Sequence, residues 1–512
     1  MSTVGYYSFE ADGAFFVYDT TTNALVEAPE SVHHALEACR RNSWIPLDSL
    51  HLLAREMTPA DVAEARGWLR EAGRRGMLQP YVTRDYTWLL DRDPREELAS
   101  LTGLILGITG RCNFRCRYCT LSGHYHGLRQ HSKESMSWSV IRRSLDFFIP
   151  RAVADSWLLF YGGEPTLEWD LIESAVGYVR KHGGRRSDLG FTVSTNGSLL
   201  DESKIDFLMQ NRGSLIVSLD GPADIHDRMR KYKNGESTFV KVIKSLALIR
   251  LRDEAWYRSH VTINCVLTRR DNFSEVMAFF SGHELLSDVG VRAVRLHTGM
   301  DPDYKEALGI QRIVSEGPAD IPDAYFKFLS GAGNGFSYHL FSSLHSSIFQ
   351  GLLTRRPGFA PTWATAHGMC YPGANRLYVD AAGGLYICQL LDIPDGKIGD
   401  VDRGFDYERI RAVVRSFAEF CQGSCQECWV QRLCEFCVAH AETGGQVHPE
   451  NLNPKCLIAR EQWKTSLRTF AYVWKKEEEL GLADRFWSLH SCLQRAQSVD
   501  SSEKESCLEP LP

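Results

Sequence analysis

The placement of cysteine constrains this chain more than any other feature of its sequence. Of its 15 cysteines, three fall between Cys112 and Cys119 and eight between Cys370 and Cys456. The opening stretch, MSTVGYYSFEADG, has no basic segment followed by an apolar run, so we expect no secretory signal and a cytoplasmic location. In a reducing compartment, clustered thiols bind metals more often than they form disulfides. The two cysteine groups therefore predict metal centres.

The overall composition is that of an ordinary globular protein, with 44% hydrophobic and 24% charged residues. A length of 512 residues predicts about three domains, since length divided by roughly 150 is the usual prior. The formal net charge of −6 argues against a general nucleic-acid binder, which carries a basic excess. No run of ~18 apolar residues occurs, so we expect no membrane partner.

Residues 1–95 have the pattern of a small separate module. Alternation of apolar and polar residues in YYSFEADGAFFVYD and NALVEA, around the polar turn TTTN, predicts a β-hairpin. Two helices are expected next, SVHHALEACR with a serine cap and TPADVAEARGWLREAG with a threonine cap and a first-turn proline. GMLQPYV is a further candidate strand. A hairpin with helices at this size resembles a winged-helix fold, and a module used only for dimerisation or packing is the alternative.

Residues 100–300 change to an alternation of strands and helices. The candidate strands are LTGLILGIT, SWLLFYGG, LGFTVST, SLIVSLDG, HVTINCVL and VRAVRLH, separated by periodic helical stretches. Repeated βα units predict an α/β fold with a parallel sheet, and six units favour a partial (β/α)6 TIM-like barrel. Functional residues of such folds lie at the carboxyl ends of the strands. The segments TGRCN, GGEP, STNG and SLDGP fall at those ends.

The rest of the chain divides into four parts by composition. Residues 301–369 form a mixed bridging region with one candidate helix, YHLFSSLHSSIFQGLL, and residues 370–460 hold the second cysteine group. Residues 461–490 have a helical pattern, and we expect a C-terminal helix there. Residues 491–512 are polar and poor in aromatic residues, which predicts a disordered tail.

The first cysteine group, Cys112, Cys116 and Cys119, has the spacing C-x3-C-x2-C directly after a strand. Three thiolates on one short loop can hold three corners of a cubane iron–sulfur cluster, which leaves one iron without a protein ligand. A zinc knuckle is the alternative, but structural zinc requires four ligands. Only His124 and His126 lie near enough in sequence to supply the fourth.

The loop RCNFRCRYC, together with GGEP, STNG, SLDGP and the arginine of HDRMR, resembles the radical S-adenosylmethionine (radical SAM) enzymes. The resemblance covers roughly residues 100–300. It implies that the vacant iron is chelated by the methionine part of S-adenosylmethionine. It also implies reductive cleavage to a 5′-deoxyadenosyl radical, which takes a hydrogen atom from the substrate. The cofactor contacts that it implies are Tyr118, Gly162, Gly163, Glu164, Asn196, Ser218 and Arg230.

The residue types suit the roles that this resemblance implies. The two glycines let the backbone approach the cofactor closely, and Glu164 would accept hydrogen bonds from its ammonium group. Arg230 resembles a partner for the cofactor carboxylate, since a guanidinium is a fixed fork of donors. Ser218 resembles a contact to the ribose and carboxylate, and Tyr118 would lie near the adenine.

The second cysteine group resembles the SPASM extension of radical SAM peptide maturases, which holds two auxiliary four-iron clusters. Read alone, its two C-x2-C pairs suggest zinc instead. Carried over by position, the first auxiliary cluster would be held by Cys370, Cys388 and Cys437. The second would be held by Cys425, Cys428, Cys434 and Cys456. With the cluster on the first loop, the resemblance implies three [4Fe–4S] clusters in total.

Two departures from that pattern concern the first auxiliary cluster. The last cysteine pair is spaced x2 where the family usually has x3. The fourth ligand is not evident. Either Cys421 supplies it, or the fourth iron is open and binds a substrate thiolate.

Two details bear on the substrate. Gln389 follows Cys388, whereas sulfatase-type maturases have an aspartate at this position. The interpretation as a sulfatase-type maturase therefore loses its proposed base. The stretch GHYHGLRQHSKESMSW, with FYGGEP, resembles thioether-forming maturases of cysteine-rich ribosomal peptides, the ranthipeptide and freyrasin type. The resemblance implies a crosslink, most simply a thioether, in a ribosomally made precursor peptide. A carbon–carbon crosslink or another oxidative modification is the close alternative.

Further partners follow from the same resemblance. The N-terminal module would bind the leader of the precursor, which adds a strand to the hairpin. A reductant such as flavodoxin or ferredoxin would supply electrons. A catalytically silent, zinc-containing binding protein and an enzyme for a small molecule or a folded protein are the competing hypotheses. No catalytic base is named, because solvated or core roles are favoured for Asp392 and His297. Small buried roles are favoured for Cys39 and Cys265.

Overall fold

The structure is a computed structural model with one large mixed sheet at its centre and a small N-terminal sheet beside it. It describes residues 5–41, 57–79, 84–125, 128–269, 273–294, 300–310, 321, 323–331, 338–345, 347–353, 358–359, 362 and 370–485. The candidates His126 and His297 and the predicted tail at 491–512 lie outside these residues. None of the described helices is both long and apolar enough to cross a bilayer.

The N-terminal sheet has three antiparallel strands, β1 (Tyr6–Ala11), β2 (Ala14–Asp19) and β3 (Ala24–Ala28), in that order. The sequence predicted a two-stranded hairpin, whereas the sheet has three strands, because YYSFEADGAFFVYD contains two of them. Asp12 and Gly13 have φ angles of +54° and +76°, the left-handed conformation that a two-residue hairpin turn requires. The Asp-Gly pair is the signal that predicts this turn.

Helices α1 (Glu30–Arg41) and α2 (Pro59–Arg74) follow this sheet. Thr58 caps α2 as predicted, and its side chain accepts a hydrogen bond from the Asp61 amide. Ser31, the predicted cap of the first helix, lies inside α1. Its hydroxyl donates to Glu64 of α2 at 2.7 Å and so joins the two helices. Residues 76–79 form a turn rather than the start of the predicted strand; residues 80–82 of that stretch are not described.

Six parallel strands, β4 to β9, lie side by side in the large sheet in sequence order. Each of them corresponds to one of the six strands predicted from the sequence. Their bounds are β4 Leu101–Thr109, β5 Ala152–Gly162, β6 Phe191–Thr195, β7 Gly213–Ser218, β8 Val261–Val266 and β9 Gly290–Val294. The helices around them are α3 Pro94–Glu97, α4 Trp138–Phe148, α5 Trp169–His182, α6 Glu202–Gln210, α7 Ala223–Met229, α8 Phe239–Arg252, α9 Glu254–His260 and α10 Phe273–Gly282. Among the described residues β9 does not pair with β4, so the barrel is partial, as predicted.

The large sheet continues on the free side of β4 with strands from the cysteine-rich region. Strand β10 (Leu377–Val379) pairs with β4 in parallel. Three antiparallel strands extend it: β11 Gly384–Tyr386, β12 Lys397–Asp400 and β13 Gly404–Phe405. The region after residue 370 is therefore joined to the barrel through one sheet.

The remaining elements surround these strands. They are the helices α11 Pro302–Ala307, α12 Asp323–Leu329, α13 Tyr338–Leu344, α14 Tyr407–Ser424 and α15 Asn453–Glu479, and the short hairpin of β14 (Glu442–Thr443) and β15 (Gln446–Val447). Helix α13 and a π-helical turn over Ser347–Leu352 occupy the predicted helix at 338–353. Helix α15 begins before the predicted residue 461, because Pro454 in its first turn suits a helix start.

The N-terminal sheet packs on the cysteine-rich region near residues 425–434. The ring of Trp429 stacks on Tyr7 of β1 with centroids 5.0 Å apart. Gln426 exchanges two hydrogen bonds with the backbone of Arg84, at 2.9 and 2.7 Å. Helix α15 also packs against β1. Strand β1 is thereby covered, and β3 forms the other edge of the sheet.

Candidate active site at the cysteine loop

The three-cysteine loop leaves the carboxyl end of β4, at the edge of the sheet where the strand-end motifs meet. Backbone hydrogen bonds join the loop to the segment after α7: the Arg115 amide donates to the Lys231 carbonyl at 2.7 Å, and the Arg117 amide donates to the Met229 carbonyl at 2.8 Å. These bonds tie the loop to the end of α7, so the loop lies between two elements of the barrel.

The three cysteines of this loop are partly buried. Burial raises the pKa of Cys112 and of Cys116 to about 12 and also raises the pKa of Cys119. Buried thiolates need a nearby positive charge, which a bound metal centre supplies. The donor set of three sulfurs on one loop fits a cubane cluster with one open corner.

The alternative of a single zinc ion fits the loop less well. Among the described residues, no group of three or more His, Cys, Asp or Glu side chains stands close enough to hold one metal ion. The ring of His124, one of the two candidate fourth ligands, stacks on Tyr304 with centroids 3.4 Å apart. A cluster with several irons separates its ligands more widely than one tetrahedral ion does.

Gly162 and Gly163 lie at the end of β5, directly against the cysteine loop. A Cβ on Gly162 would stand 2.4 Å from the Thr109 carbonyl oxygen, and one on Gly163 would stand 2.1 Å from the Arg111 carbonyl oxygen. Gly162 also has a φ of +128°, which disfavours other residues. The two glycines thus allow β5 to pack on the backbone that leads into the loop.

Glu164 is 1% exposed and links the ends of β5 and β6. Its Oε1 accepts from the Thr166 amide and hydroxyl, at 3.1 and 2.5 Å, and from the Thr195 hydroxyl at 2.6 Å. Its Oε2 accepts from the Asn196 amide at 2.7 Å. Oε2 therefore keeps one acceptor position, and a cofactor ammonium group would donate to it beside the Asn196 amide.

Asn196 lies between that carboxylate and the cysteine loop. Its side-chain amide donates to Asn113 at 2.8 Å, and its side-chain oxygen accepts from the Ser198 amide and hydroxyl. Ser218 is the last residue of β7 and is half-buried at the same edge of the sheet. Six of the seven predicted cofactor contacts lie next to the loop or to each other; their contact with a cofactor stays a prediction.

We expect Glu164→Gln to destabilise the barrel by about 1–3 kcal/mol, because the new amide cannot accept from all four donors that the carboxylate satisfies. The effect should appear as a lower thermal unfolding midpoint of the protein without cofactors. Glu173→Gln is the matched control, since Glu173 is exposed and makes one side-chain bond, to Trp169. Equal midpoints for the two variants would contradict the bracing role of Glu164.

Arg230 and Tyr118, both predicted cofactor contacts, meet at a carboxylate that the motif SLDGP contributes. Arg230 Nε donates to Asp220 Oδ2 at 2.9 Å, and the Tyr118 hydroxyl donates to the same oxygen at 2.5 Å. Arg230 Nη1 lies 3.8 Å from Cys116 Sγ. Asp220 is not among the predicted site residues, and its position two residues after Ser218, the last residue of β7, is the signal that could have suggested a role.

A cavity of about 430 Å³ opens beside the cysteine loop. Its walls come from the ends of β4 and β5, from the segment after Cys119 and from the stretch after Cys388. Among the lining residues are Gly107, Thr109, Cys119, Leu121, Arg129, Tyr161, Gly162, Tyr378, Gln389 and Asp392. The cavity thus extends from Cys119 and Gly162, one of the predicted cofactor contacts, to Gln389 and Asp392 of the cysteine-rich region.

One wall of this cavity carries a charged cluster. Arg129 pairs with Asp380 at 2.7 Å and with Asp392 at 2.8 Å, and it donates to the Tyr386 hydroxyl at 2.6 Å. The Asp380 carboxylate also accepts from the amides of Ala382 and Gly384. Asp380 therefore holds the arginine, whereas Asp392 is the carboxylate that lines the cavity.

Asp392 has the environment of a proton-exchanging group. Burial raises its pKa to about 6, although Arg129 and a hydrogen bond from Tyr378 oppose the rise. Its Oδ1 lies 2.8 Å from Arg129 Nε without the alignment of a hydrogen bond, and the side-chain oxygen of Gln389 makes none within the described part of the chain. These two oxygens on one wall are positions at which a hydrogen-bond donor of a ligand can bind. The sequence alone favours a solvated or core role for Asp392. The ion pair with Arg129 is not evident from the sequence, because the two residues lie far apart in the chain.

The C-terminal cysteines divide into two groups that interact electrostatically. Cys437 interacts with both Cys370 and Cys388. Cys434 interacts with the other three predicted ligands of the second cluster, namely Cys425, Cys428 and Cys456. Apart from the exposed Cys370, these thiols are partly buried. The division matches the two predicted ligand sets, and the bound clusters themselves stay a prediction.

Cys421, the candidate fourth ligand of the first auxiliary cluster, lies at the end of α14. Its thiol is buried and is a hydrogen-bond partner of Cys425. It thus stands with the second group, and within the described residues no interaction joins it to Cys370, Cys388 or Cys437. The fourth ligand of the first auxiliary cluster stays a prediction, with both alternatives open.

Comparison with known proteins identifies the central domain. Residues 106–281 match the family model described as "Radical SAM superfamily". This match covers most of the span from β4 to α10 and includes the cysteine loop and all seven predicted cofactor contacts. The resemblance inferred from the motifs is confirmed, and so is the α/β class of the fold.

Relatives extend the likeness beyond this domain. A cysteine-type anaerobic sulfatase-maturating enzyme from Clostridium perfringens is 24% identical over 363 residues, which are 64% of this chain and 89% of that protein. A radical SAM cyclopropyl synthase, TigE, from Paramaledivibacter caminithermalis is 24% identical over 224 residues, 41% of this chain and 44% of its own. The solved structure described as "Native anSMEcpe with bound AdoMet" superposes with a TM-score of 0.54 at 20% identity. The match covers 78% of this chain and 100% of that one, and shows a shared fold.

Proposed function

Because residues 106–281 form a radical SAM domain, we propose that this enzyme is a peptide maturase that crosslinks a ribosomally made precursor, with a thioether as the product. The observation that carries the proposal is the cavity between the cysteine loop and the cysteine-rich region, which both Cys119 and Asp392 line. A substrate in this cavity lies between the predicted cofactor site and a carboxylate.

The residues that would hold the cofactors are those already described. Cys112, Cys116 and Cys119 would hold the first cluster, and Glu164 and Arg230 would contact S-adenosylmethionine. The two C-terminal cysteine sets would hold two auxiliary clusters. When bound, these groups supply the radical that takes a hydrogen atom from the substrate, and they accept the electron that the substrate releases. A protein reductant, flavodoxin or ferredoxin, would deliver the initiating electron.

The contribution of the chain itself is to position the peptide and to move a proton. Formation of a carbon–sulfur bond from a C–H and an S–H removes one hydrogen atom, one proton and one electron. Asp392 would accept the proton from the substrate thiol, a role that suits a carboxyl group with a pKa of about 6. Arg129 keeps this carboxyl in place, since Asp380 anchors its guanidinium from the other side.

The N-terminal sheet is the site that we propose for the leader peptide. Strand β3 is an edge of this sheet, and an edge strand offers backbone groups for an added strand. Strand β1, the other edge, is covered by α15. A solved structure of the same fold, "Native anSMEcpe with bound AdoMet and Kp18Cys peptide", has a TM-score of 0.53 and supports a peptide substrate.

A sulfatase precursor is the second candidate substrate, because the relative from Clostridium perfringens is a sulfatase-maturating enzyme that matches over 89% of its length. Gln389 argues against it, since the sulfatase type has an aspartate at this position. Asp392, three positions later, lines the same cavity. We favour a peptide crosslink, with a carbon–carbon bond as the close alternative, because the stretch GHYHGLRQHSKESMSW resembles thioether-forming maturases.

Anaerobic incubation with S-adenosylmethionine, dithionite and cysteine-containing precursor peptides tests this proposal. We expect 5′-deoxyadenosine together with a peptide that has lost two hydrogens, and the product should resist alkylation at one cysteine. Peptides without their leader should be modified much more slowly, while cleavage of S-adenosylmethionine persists. Modification of a sulfatase-derived peptide to an aldehyde, with no crosslink in any cysteine-rich peptide, would contradict it.

A further inference from the structure

The strongest unassigned feature is a closed set of hydrogen bonds behind the cysteine loop, centred on Asp220. This residue follows β7, is 1% exposed, and has a partner for each carboxylate oxygen. Oδ1 accepts from the Val266 amide at 3.0 Å. Oδ2 accepts from Arg230 Nε and from the Tyr118 hydroxyl. Each oxygen thus has a partner within the chain itself, and the carboxylate is buried.

The backbone of Asp220 continues this set to the far side of Arg230. The Asp220 amide donates to His226 Nδ1 at 3.3 Å, so the ring proton lies on Nε2, 3.0 Å from the Thr238 hydroxyl oxygen. Burial lowers the pKa of His226 to about 4, which keeps the ring neutral in this arrangement. The Thr238 hydroxyl in turn donates to the Arg230 carbonyl at 2.9 Å. Arg230 is therefore fixed by its side chain and by its backbone.

The fixed guanidinium lies against the cysteine loop. Arg230 is 7% exposed, its Cζ lies 5.2 Å from the centre of the Tyr118 ring, and Nη1 lies 3.8 Å from Cys116 Sγ. A cation placed beside a ligand sulfur stabilises the reduced, more negative form of an iron–sulfur cluster, and a donor to the sulfur acts in the same direction. The carboxylate of Asp220 offsets part of that charge.

We propose that Asp220 is a positioning residue that holds Arg230 beside Cys116 and balances its charge, and so sets the reduction potential of a cluster on this loop. The inference rests on the proposed cluster. It goes beyond the carboxylate-binding role that the family resemblance implies for Arg230, because it concerns the electron that enters the site rather than the cofactor that occupies it.

A redox titration of the reconstituted holoenzyme, followed by electron paramagnetic resonance, tests the inference. The signal to follow is the one that is lost in Cys116→Ala, since that variant lacks the cluster of this loop. Asp220→Asn keeps the side-chain volume and removes the negative charge. We expect its ratio of reduced to oxidised cluster, at a fixed potential, to rise about tenfold, which corresponds to about 59 mV for one electron.

Two further variants separate charge from structural damage. Thr238→Val removes a hydrogen bond to the Arg230 carbonyl without changing any charge, so its potential should stay near that of the unmodified protein. Arg230→Gln removes the cation and its contact to Cys116, so its potential should fall, opposite in sign to Asp220→Asn. Should Asp220→Asn fail to fold, Asp220→Glu takes its place: it keeps the charge but moves the carboxylate, so Arg230 should shift away from Cys116 and the potential should fall.

An unchanged potential in either charge variant, or an equal shift in Thr238→Val, would overturn the inference while leaving the proposed function intact. Absence of any signal that responds to S-adenosylmethionine in the unmodified protein would overturn both.

Discussion

Replacement of Cys116 by alanine should abolish the formation of 5′-deoxyadenosine from S-adenosylmethionine under reducing, anaerobic conditions. The loop supplies only three sulfurs, and a cubane that has lost one of three protein ligands does not stay bound to it. Each cubane holds about four irons, so the iron content should fall from about twelve to about eight per chain. Iron analysis and quantification of the nucleoside measure the two effects independently.

Cys39→Ala is the matched control, because Cys39 is a buried cysteine of the N-terminal module and lies outside both groups. It should keep all of the iron and the full rate of nucleoside formation. Turnover that persists in Cys116→Ala would refute the assignment of the loop as the site of the cleaving cluster. Zinc in place of iron in the unmodified protein would instead support a silent binding protein.

Asp392→Asn should uncouple the two halves of the reaction. Cleavage of S-adenosylmethionine should continue, because Asp392 belongs to the cysteine-rich region and none of its described contacts involves the cysteine loop. Formation of the crosslinked peptide should fall by about 10²–10⁴-fold, the usual contribution of a general base. The measurement is the ratio of modified peptide to 5′-deoxyadenosine. Asp402→Asn, at an exposed aspartate outside the cavity, should leave this ratio unchanged.

The same variant should be more stable than the unmodified protein at neutral pH. The pKa of Asp392 is raised to about 6 in the folded chain from 3.8 in the unfolded chain. A carboxyl group whose pKa is raised by folding contributes stability that is present in full below about pH 4. This stability is lost as the pH rises through about 6. Asp392→Asn avoids this loss, so its advantage should reach about 1–3 kcal/mol at about pH 8 and vanish near about pH 4. An advantage independent of pH would show that burial of Asp392 is not its cause.

The barrel could be predicted from sequence because its signals are local. Each parallel strand is a short apolar run, and each is followed by the residues that mark its carboxyl end. The missed strand in the N-terminal sheet was also a local matter, since Asp12 and Gly13 form a two-residue turn inside what looked like one strand. Ser31 was assigned as a helix cap from its residue type alone, although its hydroxyl instead bonds to Glu64 of the next helix.

The arrangement of the site was beyond such reasoning, because its contacts join distant parts of the chain. The environment of Asp392 depends on Arg129, and the position of Arg230 depends on a carboxylate ten residues earlier that also binds Tyr118. Spacing predicted which cysteines belong together, yet it could not decide the side on which Cys421 stands. The sequence indicated which residue types belong to the site. Which of these side chains contact each other depends on how the strands pack together.

The strand β10 joins the cysteine-rich region to β4, the first strand of the barrel. A fragment that ends before residue 370 would leave the backbone amides and carbonyls along one side of β4 without partners. Exposed strands of this kind attract other chains and promote aggregation. Chimeras that graft this barrel onto another maturase should therefore exchange the two regions as a single unit, or import a strand whose register matches that of β4.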